Sequence, residues 1–194
     1  MDHKKPADNF YEAIKFRLHR KIGRELSRAG RILDLGCGPC DLVEYLAIAY
    51  CQSVTGVDIS GKKFPRRRRL PDGSNFHCLR RDAAHLNFMK EQSVDAVVTL
   101  YALHEMIHAD AVLDEIHRIL RPGGEVLIVD FPRGSLAQKL WNEDYYHPNE
   151  IKQLLIETGF YRVRVWLIEQ KQIIWARGFR RPVDKKLIKR SYHI

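Results

Sequence analysis

Long apolar runs are missing from the 194-residue chain; the longest uninterrupted stretches are short, such as Val126-Leu127-Ile128-Val129. A bilayer-crossing helix needs ~20 such residues, so none is expected. The start, Met1-Asp2-His3-Lys4-Lys5-Pro6, lacks the apolar core and cleavage site of a secretory leader, which makes the cytoplasm the expected location. Cysteine is also scarce: Cys37, Cys40, Cys51 and Cys78 are too few for a disulfide scaffold, and their positions suit reduced thiols. Cys37-x-x-Cys40 has no second Cys-x-x-Cys to complete a tetrahedral site, so no metal is expected. Repeats and low-complexity linkers are absent as well. What remains is 45% hydrophobic and 29% charged residues, a balance that buries a core and excludes disorder and collagen.

The formal charge of +9 is localised. Residues 62–69 hold six basic residues and no acid, and residues 177–190 hold seven with only Asp184 opposing them. Outside these runs the chain carries 20 basic and 23 acidic residues, so the rest of the domain is slightly acidic. Such runs serve either as docking surfaces for phosphates, acidic partners or anionic membranes, or simply as solvated loop and tail.

The pattern of the chain reads as one domain. An arm over residues 1–29 carries Phe10, Ile14, Leu18, Ile22 and Leu26 at intervals of four, an apolar stripe on a helix that Gly30 ends. Strands are expected at Arg31–Leu35, Ser53–Val57, Asn75–Leu79, Val94–Leu100 and Glu125–Val129, with helices at Asp41–Ala49 and Asp110–Leu120. Arg121-Pro122-Gly123-Gly124 is read as the breaker that returns the second helix to the sheet. The core thus spans 30–131, followed by a short lid at 132–147, a helix and hairpin at 148–178, and a basic tail at 179–194. The hairpin comprises Tyr161–Ile168 and Gln172–Ala176, antiparallel because only three residues join them. Alternating strands and helices imply an α/β fold: a doubly wound, mostly parallel seven-stranded sheet with helices on both faces and a C-terminal antiparallel hairpin.

Ligands of open α/β sheets bind at the carboxyl ends of the strands. Three of those ends carry an acid at equal spacing: Asp34, Asp58 and Asp82, each 24 residues after the last. Between Asp34 and the first crossover helix runs Leu35-Gly36-Cys37-Gly38-Pro39-Cys40-Asp41, whose glycines let the backbone turn and a ligand approach. Asp58 then stands where an acid accepts hydrogen bonds from ribose hydroxyls. A dinucleotide fingerprint would need glycine at position 41 and meets Asp41, which argues against a nicotinamide dehydrogenase.

Taken in order, these segments resemble the class I S-adenosylmethionine (SAM)-dependent methyltransferases. Ile32–Gly38 is similar to that family's first motif, Gly56–Ser60 to the ribose-binding end of its second strand, and Arg81-Asp82-Ala83 to the position facing adenine. Asp95–Val98 with Leu103-His104-Glu105 is similar to its fourth strand and following loop, and Leu120–Gly124 to the turn before strand five. The resemblance implies that Asp34, Gly36, Cys37, Gly38, Asp58, Ile59, Asp82, Ala83 and Tyr101 bind SAM and its product S-adenosylhomocysteine, and that Tyr11 closes over the cofactor's carboxylate. Tyr11 reads equally well as a core-facing ring. The family usually has glycine where this chain has Cys40, which puts a bulkier side chain beside the methionine end of the cofactor.

Methyl transfer to an acidic O–H or C–H needs a base above the methyl group. His104 past strand four, the one candidate there that titrates unaided near neutrality, and Tyr146 in the lid are the expected catalytic groups; Tyr101, Glu105, Tyr145 and His147 are their neighbours. The Asn/Asp-Pro-Pro-aromatic signature of nucleic-acid amino-methyltransferases is absent from Thr99–His104, and the loop resembles small-molecule methyltransferases. A small-molecule acceptor is therefore expected. RNA or another polyanion is a disfavoured alternative, because only Phe64 and Phe179 interleave the basic runs with aromatic faces. A SAM-binding accessory protein without turnover is the third reading. Acceptor atom and oligomeric state have no sequence signature.

Overall fold

A computed structural model describes residues 6–65 and 76–183. Of the basic runs, Arg66–Arg69 and Lys185, Lys186, Lys189 and Arg190 lie outside the described residues.

The elements run α1 (Pro6–Glu25), β1 (Arg31–Leu35), α2 (Asp41–Tyr50), β2 (Ser53–Asp58), β3 (Phe76–Arg80), β4 (Val94–Leu100), a 3-10 turn (Leu103–Glu105), α3 (Ala109–Ile119), β5 (Leu120–Asp130), α4 (Leu136–Trp141), α5 (Pro148–Glu157), β6 (Tyr161–Ile168) and β7 (Ile173–Phe179). The strands form one sheet in the order β3-β2-β1-β4-β5-β7-β6. Neighbours from β3 through β5 pair in parallel, and β7 inserts antiparallel between β5 and β6. The chain reverses direction across the sheet between β1 and β4, so the ends of these two strands flank the crevice where ligands of such sheets sit.

Each face of the sheet has its own core. On one face the arm's Ile14, Leu18, Ile22 and Leu26, all at most 1% exposed, join α2 and Trp175 of β7. On the other, Val112, Leu113 and Ile116 of α3 and Ile151 and Leu155 of α5 cover Leu33, Val97 and Ile128. Both stripes follow from apolar spacing of three and four.

Two local expectations change, and the β3–β4 connection takes the form of a braced loop. The Arg121–Gly124 cluster does not precede β5 but interrupts it: Leu120 already pairs with Val94, and the register shifts before Ala96 meets Glu125. Gly123 turns there at φ +83°, and Arg121 is held by Asp95, so the extra residues loop outward without ending the ladder. The chain between β3 and β4 has no helix. Instead Arg118 of α3 donates to the carbonyls of Leu86 and Met89 while Glu115 accepts from the Leu86 N–H, satisfying a loop that would otherwise bury unpaired backbone. Finally, Cys40 and Cys78 are joined as a disulfide, not left as reduced thiols.

The second basic run is partly structural. Arg177 bridges Glu25 of α1 and Glu125 of β5, and Arg180 donates to the carbonyls of Arg118 and Leu120. No helix of the described residues is long and apolar enough to cross a membrane.

Candidate functional site

The loop after β1 is pinned before it reaches α2. The N–H groups of Gly36 and Cys37 both donate to the Val57 carbonyl, and the Gly38 N–H donates to Asp58 Oδ2 at 2.8 Å. Gly36 sits at φ +72°, and a Cβ there would lie 2.2 Å from the Ala102 Cβ, so only glycine lets this loop meet the one after β4. Cys40, at φ +66°, takes the left-handed conformation that suits the glycine it replaces. Its side chain is 1% exposed and turned into the interior, so it does not crowd the cleft as expected.

Two adjoining hollows open at these strand ends. The larger, about 500 Å³, runs from Asp34, Gly36, Gly38 and Asp58 to an aromatic wall of Tyr11, Tyr101, Phe131 and Trp141. The smaller, about 210 Å³, is bounded by Asp58, Ile59, Asp82, Ala83, Met106 and Val112. Glu105 borders both. All the cofactor residues expected from sequence line one or other hollow.

Asp34 is the most telling of them. It is 1% exposed, and its Oδ1 has no hydrogen-bond partner. Burial, reinforced by the charge of Asp58, pushes its carboxyl up to about 8. A buried carboxylate oxygen without a donor is costly unless a cation or hydrogen-bond donor meets it. Asp58 accepts from Gly38 and, through Oδ1, from Ser60 at 2.7 Å; a carboxylate has about four acceptor sites, which leaves room for two hydroxyls. Asp82 accepts from the Ala84 N–H, the main reason its pKa is lowered, and meets His85 Nδ1 at 3.2 Å; the alternative pairing with Arg80 or Arg81 is not formed.

Tyr11 does two things. Its hydroxyl accepts from the Ala137 N–H at 2.8 Å, tying the arm to α4, while its ring meets Phe131 and Trp141 at 4.9 and 5.4 Å. Tyr101, at φ +60°, stacks on Phe131 at 4.2 Å with its hydroxyl buried and unpartnered.

Behind the aromatic wall lies a polar chain that the sequence reading found only in part. Asp130, at the end of β5 and 1% exposed, accepts from the His104 backbone N–H at 3.1 Å and the Phe131 N–H at 2.8 Å, and faces His104 Nδ1 at 2.7 Å. His104 Nε2 faces Glu143 Oε2 at 3.3 Å, and Glu143 in turn accepts from the Tyr145 hydroxyl at 2.9 Å. Burial pulls the His104 pKa down, but the hydrogen bond and charge of Asp130, with Glu105 and Glu143, outweigh it and leave the pKa raised. Burial likewise raises Glu105. The imidazole itself is 3% exposed and borders neither hollow. Tyr146 borders neither as well; its ring packs on the α3–α5 side of the sheet. Asp130 and Glu143 were missed because they lie 26 and 39 residues from His104; an acid ending a buried strand, as Asp34 and Asp58 do, was the available signal for Asp130.

Two groups of donor atoms lie within 4.8 Å of one another and so could share a cation: His104 with Glu105 and Glu143, and Cys37 with Cys40 and Cys78.

Comparison with known proteins gives one consistent picture. The family described as Methyltransferase domain matches residues 33–128, the span from β1 to β5 that carries both hollows. The ubiquinone/menaquinone biosynthesis C-methyltransferase UbiE of Nitrosospira multiformis is 28% identical, with 84% of this chain and 82% of that protein aligned. The O-methyltransferase rstn1 of Aspergillus nomiae is also 28% identical, over 77% of this chain and 73% of its own. Among solved structures, a SAM-dependent methyltransferase from Archaeoglobus fulgidus superposes with a TM-score of 0.66 at 16% identity, covering 89% of this chain and 99% of the other, a likeness of fold.

Proposed function

Since the chain belongs to the class I SAM-dependent methyltransferases, we propose that it methylates a small-molecule acceptor held against the aromatic wall, with His104 as the base. The observation that carries this reading is the form of the larger hollow. Asp34 and Asp58, two of the five acids that line it, share it with the rings of Tyr11, Tyr101, Phe131 and Trp141, within a volume of about 500 Å³ that suits a small ligand. An apolar, ring-lined slot of this kind favours a flat, partly apolar acceptor over a polyanion, and two arginines of the second basic run are already committed to the fold.

The residues fit the cofactor. The partnerless oxygen of Asp34 suits the cationic methionine end, Asp58 the ribose hydroxyls, and the smaller hollow between Asp82 and Met106 the adenine. SAM supplies a methyl group on a sulfonium, open to in-line attack. The protein's main task is to hold the acceptor in line with it, and such orientation is worth ~7–11 kcal/mol of barrier. Gly36, locked against Ala102, brings the loops after β1 and β4 together so that both reactants share one crevice.

His104 lies behind the aromatic wall and borders neither hollow, so it takes the acceptor's proton at Nε2 only when the segment carrying Trp141 and Glu143 shifts and the acceptor's O–H or acidic C–H replaces Glu143 there. Asp130 holds the Nδ1–H, which fixes the tautomer with its lone pair on Nε2, and stabilises the imidazolium that forms. Glu143, about half exposed, is the partner that gives way.

The test has two arms. Thermal unfolding with SAM, S-adenosylhomocysteine or NADH in turn is expected to show a rise of roughly 5–10 °C for the first two at 100 times their Kd, and none for NADH. Turnover of a panel of phenols, quinols, carboxylic acids and short RNA, read as S-adenosylhomocysteine formed, is expected to favour the small aromatics. A cofactor shift with no turnover of any acceptor would support the accessory reading instead, and selective turnover of RNA would overturn the acceptor class.

A further inference from the structure

Three cysteines in and beside the cofactor loop supply no step of the methyl transfer proposed above, although Cys37 also lines the larger hollow, and the fold brings them together. Cys37 and Cys40 come from the loop between β1 and α2, and Cys78 from β3, 38 residues beyond Cys40. Their sulfurs all lie within 4.8 Å of one another, and Cys37 Sγ is 3.6 Å from Cys40 Sγ. Cys37 and Cys40 are buried. The room for Cys37 is made by Gly56 of β2, where a Cβ would come within 2.7 Å of its sulfur. Cys40 stands at a left-handed position where a β-carbon is disfavoured, and its thiol turns away from the cleft toward the other two. A disulfide accounts for Cys40 and Cys78 but not for the convergence of the Cys37 sulfur, from a residue that also lines the larger hollow, on the same point.

Three thiolates converging on one point make a soft-metal site. Zn–S bonds of about 2.3 Å in a tetrahedral array place sulfurs about 3.8 Å apart, and the Cys37–Cys40 separation of 3.6 Å already meets that requirement. We propose that, when Cys40 and Cys78 are reduced, Cys37, Cys40 and Cys78 bind one Zn²⁺ as thiolates with a water in the fourth position, and that the Cys40–Cys78 disulfide is the metal-free, oxidised form of the same site. Binding exchanges three S–H bonds for three Zn–S bonds and releases three protons. Oxidation by a small-molecule disulfide such as oxidised glutathione removes two electrons from the Cys40 and Cys78 thiolates to form the S–S bond. The oxidant is reduced to two thiols that take up two protons, Cys37 takes up a third, and Zn²⁺ leaves. The metal would tie the Gly36–Cys40 loop to β3 from behind. It stands apart from the methyl-transfer reading, because it is tested without cofactor or acceptor.

The experiment starts from full-length protein reduced with a phosphine until all four cysteines react with a thiol reagent. Titration with Zn²⁺ against a chromophoric chelator is expected to show one tight equivalent, and Cd²⁺ an ultraviolet sulfur-to-metal band. Cys51→Ser, outside the cluster, is expected to retain both. Cys37→Ser, Cys78→Ser and Cys40→Gly are each expected to weaken Zn²⁺ binding at least 100-fold; Cys40→Gly keeps the loop foldable, since glycine suits φ +66°. Oxidised glutathione is expected to release the Zn²⁺ and leave two reactive thiols. Failure of the fully reduced protein to bind Zn²⁺, an undiminished Cd²⁺ band in Cys78→Ser, or equal binding by reduced and oxidised protein would each overturn the proposal.

Discussion

Asp34 makes cofactor affinity a function of pH, and its size follows from the structure. The carboxyl is buried, is pushed up to about 8, and has one oxygen without a donor. Below that value the free protein carries it protonated, while a bound cation needs it ionised, so binding must expel a proton. The sign is fixed: affinity rises with pH up to about 8. With each unit of pH worth about 1.4 kcal/mol, the dissociation constant should fall about tenfold from pH 6 to 7 and about fivefold from 7 to 8. Isothermal titration with SAM at pH 6 to 7, in buffers of different ionisation heat, reads both the affinity and the proton released, expected near one per cofactor bound. Asp34→Asn removes the ionisation and should bind weakly at every pH with no proton release. An affinity flat across this range in the natural protein, or an Asn variant with the same slope, would refute the reasoning.

Asp130→Asn turns an acceptor at His104 Nδ1 into a donor, favours the wrong tautomer, and should lower kcat by about 10²–10⁴ while SAM affinity holds. The rate should rise with pH through a midpoint above the ordinary histidine value of 6.5 in the natural protein, and the variant's midpoint should drop. A raised histidine pKa adds stability below about 6.5 that is lost as pH climbs through the folded value, so urea denaturation should lose this acid-side increment in the variant. Asp58→Ala removes two charged acceptors for ribose and should weaken SAM by about 100-fold in calorimetry with the circular dichroism spectrum unchanged. Arg177→Ala strands Glu25 and the mostly buried Glu125; discounted for partial exposure, the cost is about 1–3 kcal/mol, seen as a midpoint lowered by about 3–9 °C.

Strands β1, β2 and β4 were readable because each is a short apolar run closed by a turn signal, and the acids ending β1 and β2 because a charge beside such a run must have a partner. Helix α4 was not: six residues give too few turns for a periodicity to show. The interruption of β5 escaped because Pro and Gly mark a change of direction without saying whether the ladder resumes. His104 was found by its titration range, but its setting depends on Asp130 and Glu143, which only the folded sheet brings to it. The same holds for Cys78: a spacing rule confined to neighbouring residues recognises Cys37-x-x-Cys40 and is blind to a third sulfur on another strand.

The arm helix has a consequence for the birth of the protein. Lys21 lies over the Trp175 ring at 4.8 Å, Arg17 pairs with Glu169, and Glu25 with Arg177, so three partners of the first helix belong to the last hairpin, beside those in α2 and α4. On the ribosome, at about 5–20 residues per second, some 150 residues separate the two and the wait is roughly 8–30 s. For that time Ile14, Leu18 and Ile22 lack their final cover, and the nascent chain presents a greasy helix to whatever it meets. A chaperone-poor translation system should therefore lose yield to aggregation before the hairpin emerges, and polar substitutions along this stripe should rescue the nascent chain while weakening the finished one.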